Sequence, residues 1–264
     1  MSESTAWADA NGLRIRYAVV GDGPPVVLVH GWGSDRRGNW DATGWTERLC
    51  ADHRVVTLDV RGHGESEKPL DAARYSYAAM AEDVIAVLDA LDIERAGFVG
   101  YSMGAFIGAW LFGHRPERFT AMVLGGVGIE SPESIARAAP IAAGLRAEDA
   151  AAIDDPVGRA VRAFVDQDPN IDADAREALA VSALQMWPEG DAVALAGPSI
   201  AEIPVPLLAV VGTRDEPYTS SVGAFVDQLA DGRALMLEDE DHLGAVRSET
   251  FKAAAHAFLQ QHAG

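Results

Sequence analysis

Short runs of apolar, β-branched residues alternate along this chain with longer amphipathic stretches, and that alternation restricts the fold more than any other feature. Strands separated by helices pair in parallel, so the pattern predicts an α/β fold, a parallel sheet with helices on both faces. Seven runs read as strands: 13–19, 25–30, 54–58, 96–100, 120–125, 206–211 and 234–238. Val26-Val27-Leu28-Val29 and Leu207-Leu208-Ala209-Val210-Val211 are apolar without a break, as strands covered on both faces should be. Met80, Val84, Val87, Leu88 and Leu91 recur at steps of three and four, which predicts a helix over 77–91 with Ser76 as its N-cap. Further helices are expected at 103–112, 221–229 and 248–261. The alternation lapses over 128–198, a stretch rich in Ala, Asp and Pro that reads as several short helices. The expected organisation is a core of 1–127 and 199–264 with an inserted helical cap at 128–198.

Charge narrows the function. The 264 residues include 40 Asp plus Glu against 21 Lys plus Arg, a formal charge of −19. Binding to nucleic acid or anionic membranes runs on neutralisation of phosphate by Lys and Arg, so neither partner is expected. Cys50 is the one cysteine, which excludes an intramolecular disulfide, and no Cys and His spacing resembles a structural zinc site. The opening MSESTAWADANG has neither the basic nor the apolar segment of a secretion signal. No apolar run reaches the roughly 18 residues that span a bilayer, so a cytoplasmic location is the expectation.

The segment Phe98-Val99-Gly100-Tyr101-Ser102-Met103-Gly104-Ala105 runs from a buried strand into a helix through Gly-x-Ser-x-Gly. A side chain can be presented above a sheet edge on such a tight turn only if small flanking residues let the backbone close up. Ser102 also lies at a helix N-terminus, where unpaired N–H groups favour developing negative charge. Val26 to Val29 leads into a second turn, His30-Gly31-Trp32-Gly33, able to aim backbone N–H groups at the same edge. Acyl transfer needs two such donors for its oxyanion, and these are assigned to Trp32 and Met103.

A serine hydroxyl is weakly nucleophilic until a base takes its proton, and the base in turn needs an orienting carboxylate. Of seven histidines, His242 follows the last strand and returns to the strand-end edge. His53, His114, His256 and His262 read as solvated or structural, and His30 and His63 as shaping Gly-rich turns. Asp215 follows the strand at 206–211 and is the expected carboxylate, with Glu130 the more serious substitute and Asp239 and Asp241 poorly placed as immediate neighbours of His242.

Taken together, His30 to Gly33, Asp59-Val60-Arg61-Gly62-His63-Gly64-Glu65-Ser66, Gly100 to Gly104, Gly212 to Asp215 and His242 resemble the α/β-hydrolase superfamily. The order Ser, Asp, His is that family's order. The resemblance implies an eight-stranded, mostly parallel sheet, an active site at the strand ends, no cofactor, Ser102 as nucleophile, Asp215 and His242 completing a triad, and Trp32 and Met103 as oxyanion donors. The chain departs from the family in Asp241-His242, where Gly-His is common, and in a long connection at 38–44 near Trp40 and Trp45.

Serine at this turn argues against haloalkane dehalogenase and epoxide hydrolase chemistry, which place a carboxylate there. The expected function is a carboxylesterase acting on small to medium esters, with Phe164, Leu184, Met186 and Trp187 as candidate substrate contacts. The same triad serves C–C bond hydrolases, lactonases and cofactor-free perhydrolases, and a non-catalytic small-molecule receptor is the reading from a different class.

Overall fold

A computed structural model describes residues 3–262 apart from 130, 190 and 198. Among the described residues, eight strands form one sheet: β1 (Ser4–Ala10), β2 (Leu13–Val20), β3 (Pro25–Val29), β4 (Arg54–Leu58), β5 (Ala96–Tyr101), β6 (Phe119–Gly125), β7 (Leu207–Gly212) and β8 (Gly232–Leu237). Their order is β1-β2-β4-β3-β5-β6-β7-β8. β2 pairs antiparallel with β1 and β4, and every pairing from β4 to β8 is parallel.

The unbroken apolar strands follow from cover on both faces. In β3, Val27 and Val29 join one core cluster while Val26 and Leu28 join another, and β7 divides likewise, with Leu207, Ala209 and Val211 on one face and Leu208 and Val210 on the other. The helices α1 (Trp45–Leu49), α2 (Tyr77–Ala90) and α3 (Met103–His114) follow strands β3, β4 and β5. α2 buries Met80, Val84, Val87 and Leu88 on the first face, and the Ser76 hydroxyl accepts the Ala79 N–H at its start, as expected of the cap.

Between β6 and β7 the chain forms α4 (Pro132–Ile135), α5 (Ala138–Arg146), α6 (Pro156–Val165), α7 (Ala173–Met186) and α8 (Ala192–Ala196). α5 to α7 share a small apolar cluster built on Ile141, Leu145, Val165 and Leu179, which closes against Trp32 and Trp187. The chain ends with α9 (Tyr218–Val226), α10 (His242–Ala245) and α11 (Glu249–Gln261). α9 begins three residues before the expected 221, and β1 is a strand where none was expected. The long connection at 38–44 is a short π-helical turn, Arg37–Asp41, that buries Trp40, whose ring packs edge-on against Trp45.

Candidate active site

β5 ends at Tyr101 and α3 begins at Met103, so Ser102 is the whole turn between them. Its φ of 51° and ψ of −116° lie in the positive-φ region that L residues rarely adopt. The conformation is enforced by contact: a Cβ at Gly104 would lie 2.0 Å from the Val29 carbonyl oxygen, and one at Gly100 would lie 2.4 Å from the Gly104 oxygen. The Ser102 N–H donates to the Gly125 carbonyl on β6, which fixes the turn against the next strand (2.8 Å).

Loops leaving β7 and β8 bring the other two groups. Asp215 is buried three residues past β7, and His242 opens α10 after β8. His242 Nε2 lies 2.9 Å from Ser102 Oγ, and its Nδ1 lies 2.9 and 3.0 Å from the two Asp215 oxygens. The Nδ1–H therefore donates to the carboxylate, and Nε2 is left as the acceptor facing the hydroxyl. Asp241 does not share this work: its carboxylate caps α10, accepting from the Leu243 and Gly244 N–H groups. Glu130, the substitute acid, lies outside the described residues.

The His242 loop is tied to the serine's own strand. Tyr101, buried directly before Ser102, donates its hydroxyl to the His242 backbone carbonyl (2.5 Å), and its ring is tilted against the imidazole at 5.5 Å. Burial, reinforced by Asp215, Asp241 and Glu240, pushes this phenol well above its usual range, so it remains a donor. The ring of Tyr218 flanks His242 on another side, at 5.7 Å.

The turn after β3 is held as firmly. Asn39 Oδ1 accepts the Gly31 N–H (3.0 Å), and His30 Nε2 accepts the Val60 N–H (3.1 Å), which leaves His30 Nδ1 to donate to the Gly31 carbonyl (2.8 Å). Trp32 is anchored by its indole N–H to Ser182 on α7 (2.9 Å). Neither the Trp32 nor the Met103 backbone N–H donates to an acceptor among the described residues, which leaves both free for an oxyanion. Next to this turn, burial pushes the Asp59 carboxyl up despite His30 and the Arg36 and Glu65 N–H groups that bond it.

Two cavities meet at Ser102 and His242. One, of about 400 Å³, is mainly apolar, walled by Trp32, Val161, Phe164, Trp187 and Tyr218 with Arg137 and Glu216 at its border. The other, of about 780 Å³, is more polar and runs over Asn39, Thr43, Asp168 and Arg247. Phe164 and Trp187, two of the four expected substrate contacts, line the apolar cavity. Leu184 and Met186 do not: Leu184 is 40% exposed, and Met186, 3% exposed, points into the core. Both are on α7, and neither lines either cavity at Ser102. Tyr101, Asn39, Ser182 and Tyr218 are site residues that sequence reasoning missed. Only Tyr101 had a usable signal, its place inside the Gly-x-Ser-x-Gly turn.

The model of the alpha/beta hydrolase fold family matches residues 24–221, and the chain belongs to that family. It is similar to the dihydrolipoyllysine-residue acetyltransferase component of the acetoin cleaving system of Pseudomonas putida, 39% identical over 44% of this chain and 31% of that protein. The chain thus spans about a third of that relative. It is 26% identical to 3-oxoadipate enol-lactonase 2 of Acinetobacter baylyi over 96% of this chain and 95% of the relative. Among solved structures, a hydrolase from Pseudomonas aeruginosa PA01 aligns with a TM-score of 0.78 and 29% identity, covering 97% of this chain and 98% of that one.

Proposed function

We propose that the protein is a serine hydrolase that cleaves carboxylic esters of small to medium size through an acyl-enzyme intermediate. The observation that carries this reading is the unbroken chain Ser102 Oγ, His242 Nε2, His242 Nδ1, Asp215, with each step at 2.9 to 3.0 Å. As Ser102 Oγ bonds to the ester carbonyl carbon, its proton moves to His242 Nε2, and the carbonyl π pair becomes an oxyanion facing the N–H groups of Trp32 and Met103. The resulting imidazolium is stabilised by Asp215. When the oxyanion collapses, the bond to the alcohol oxygen breaks and His242 returns the proton to that oxygen. Water, deprotonated by the same nitrogen, then releases the acid and restores Ser102. Helix α3 begins beneath the oxyanion, so its dipole adds to the two donors.

The apolar cavity of about 400 Å³, at the small end of the range for ligand pockets, supports a small to medium group on one side of the ester, and the more polar cavity of about 780 Å³ leaves room for the other. We take the helices between β6 and β7 as a cap, contributing Phe164 and Trp187 to the apolar wall. A second reading has a specific support: the nearly full-length similarity to 3-oxoadipate enol-lactonase 2 favours a lactone, a cyclic ester that the same steps would open.

The test is to expose the protein to a serine-directed organophosphonate and to compare turnover of short-chain nitrophenyl esters and simple lactones. Stoichiometric labelling at Ser102 is expected, and Ser102→Ala should lose roughly 10⁴ to 10⁶ in kcat. Faster turnover of lactones than of open esters selects the second reading. Tight binding of an apolar ligand with no turnover of either class, or labelling at another residue, would remove the proposal.

A further inference from the structure

At the edge where the parallel strands begin, opposite the edge that carries Ser102, three metal-ligating side chains converge. Asp52 and His53 precede β4, and His256 reaches them from α11 across 204 positions of sequence. His53 Nδ1 lies 2.6 Å from Asp52 Oδ1, and His256 Nε2 lies 2.9 Å from both Asp52 oxygens. All three candidate ligand atoms fall within 4.8 Å of one another. Ligands held at about 2.1 Å by a tetrahedral ion are about 3.4 Å apart, so side-chain adjustment alone places one ion among them. Among the described residues, no lysine or arginine bonds Asp52; its partners are the two imidazoles and Gln260. Gln260 belongs to the next turn of α11 and can turn its amide oxygen toward an ion as a fourth donor. His53 is buried, whereas the Asp52 side chain is 36% exposed and leaves a path from solvent.

We propose that Asp52, His53 and His256 bind one zinc-like divalent transition cation that pins α11 to the turn before β4. Two imidazoles with one carboxylate suit such a cation; calcium and magnesium favour all-oxygen shells. Without an ion, each ring nitrogen that faces Asp52 carries the proton it donates to the carboxylate; on binding, each neutral ring moves that proton to its other nitrogen and presents the freed lone pair, so no net proton is released. The role is structural. The five residues of β3 alone put about 16 Å between the two edges, so the ester chemistry should not depend on the ion.

Untagged protein, stripped with chelator, is titrated with zinc chloride by calorimetry and with Co²⁺ by visible absorption, which reports a four-coordinate nitrogen and oxygen site. One zinc per chain, intense cobalt bands and a raised Tm are expected. His256→Gln keeps a donor to Asp52 but removes a ligand; it should weaken zinc at least about tenfold with ester turnover unchanged. His53→Gln should do the same and serves if the first variant does not fold. His242→Ala should keep full zinc affinity, and calcium should not compete. Absence of stoichiometric zinc in the wild type, zinc affinity unaltered in both glutamine variants, or zinc lost in His242→Ala would each overturn the proposal.

Discussion

Ser102, Asp215 and His242 could be read from sequence because each follows the end of a strand, buried throughout in β5 and β7 and at the sheet's edge in β8, and parallel strands bring their ends to one edge. What holds them in register was not readable. Tyr101 bonds the His242 carbonyl across 141 positions, and Trp32 bonds Ser182 across 150, distances at which no local pattern announces a partner. In Tyr101→Phe the carbonyl loses its donor, so His242 is less well held while Asp215 and Ser102 are untouched. We expect kcat to fall about tenfold with KM nearly constant and stability to drop by about 1 kcal/mol, read by steady-state kinetics and urea denaturation. A KM rise with kcat intact would mean that the tyrosine shapes the pocket and not the base.

The elements that sequence periodicity located best are those with cover on both faces; those it missed are at the margins. β1, with the sequence STAWADA, is an edge strand whose outward Trp7 packs under Arg14 and Arg16, so its apolar content is low and its period unclear. The signal that could have found it is Asn11-Gly12, both at positive φ, the preferred pair for a tight hairpin turn into β2. α2 conceals the opposite case. Asp83 is fully buried within it, bonded to Arg61 at 2.6 to 3.1 Å, a charge that helical patterning would place in solvent. The contact of α3 with β3 is another requirement that helical patterning does not show. Gly104→Ala drives a methyl to 2.0 Å from the Val29 oxygen, which is backbone and cannot step aside. A loss of about 3 kcal/mol or outright insolubility is expected, measured by urea denaturation or soluble yield. A variant of wild-type stability would show that α3 can slide along the sheet.

For the molecule as a whole, one buried histidine, His63, makes stability depend on acidity. Burial, with His30 alongside, brings the His63 ring down to about 3 from an ordinary 6.5. Between those values the unfolded chain binds a proton that the folded chain refuses. The stabilisation is therefore full above about pH 6.5 and declines as pH falls toward 3. At about 1.4 kcal/mol per pH unit, this ring alone should remove about 2 kcal/mol between pH 7.5 and 5. His63→Asn should flatten that dependence when denaturation midpoints are compared at the two pH values. An equally steep loss in the variant would assign the effect to other groups. No helix among the described residues is long and apolar enough to cross a membrane.

By itself, the sequence determined the class of fold and the three residues that meet at the strand-end edge, because apolar period and turn chemistry are local properties that a chain carries wherever it goes. The tertiary structure decided the rest. Which apolar side chains of α6 and α7 face the serine, that Tyr101 reaches the His242 carbonyl, and that Asp52 and His53 find His256 all depend on how elements pack. Packing is set by the summed shape and burial of many distant groups, so no single segment records it.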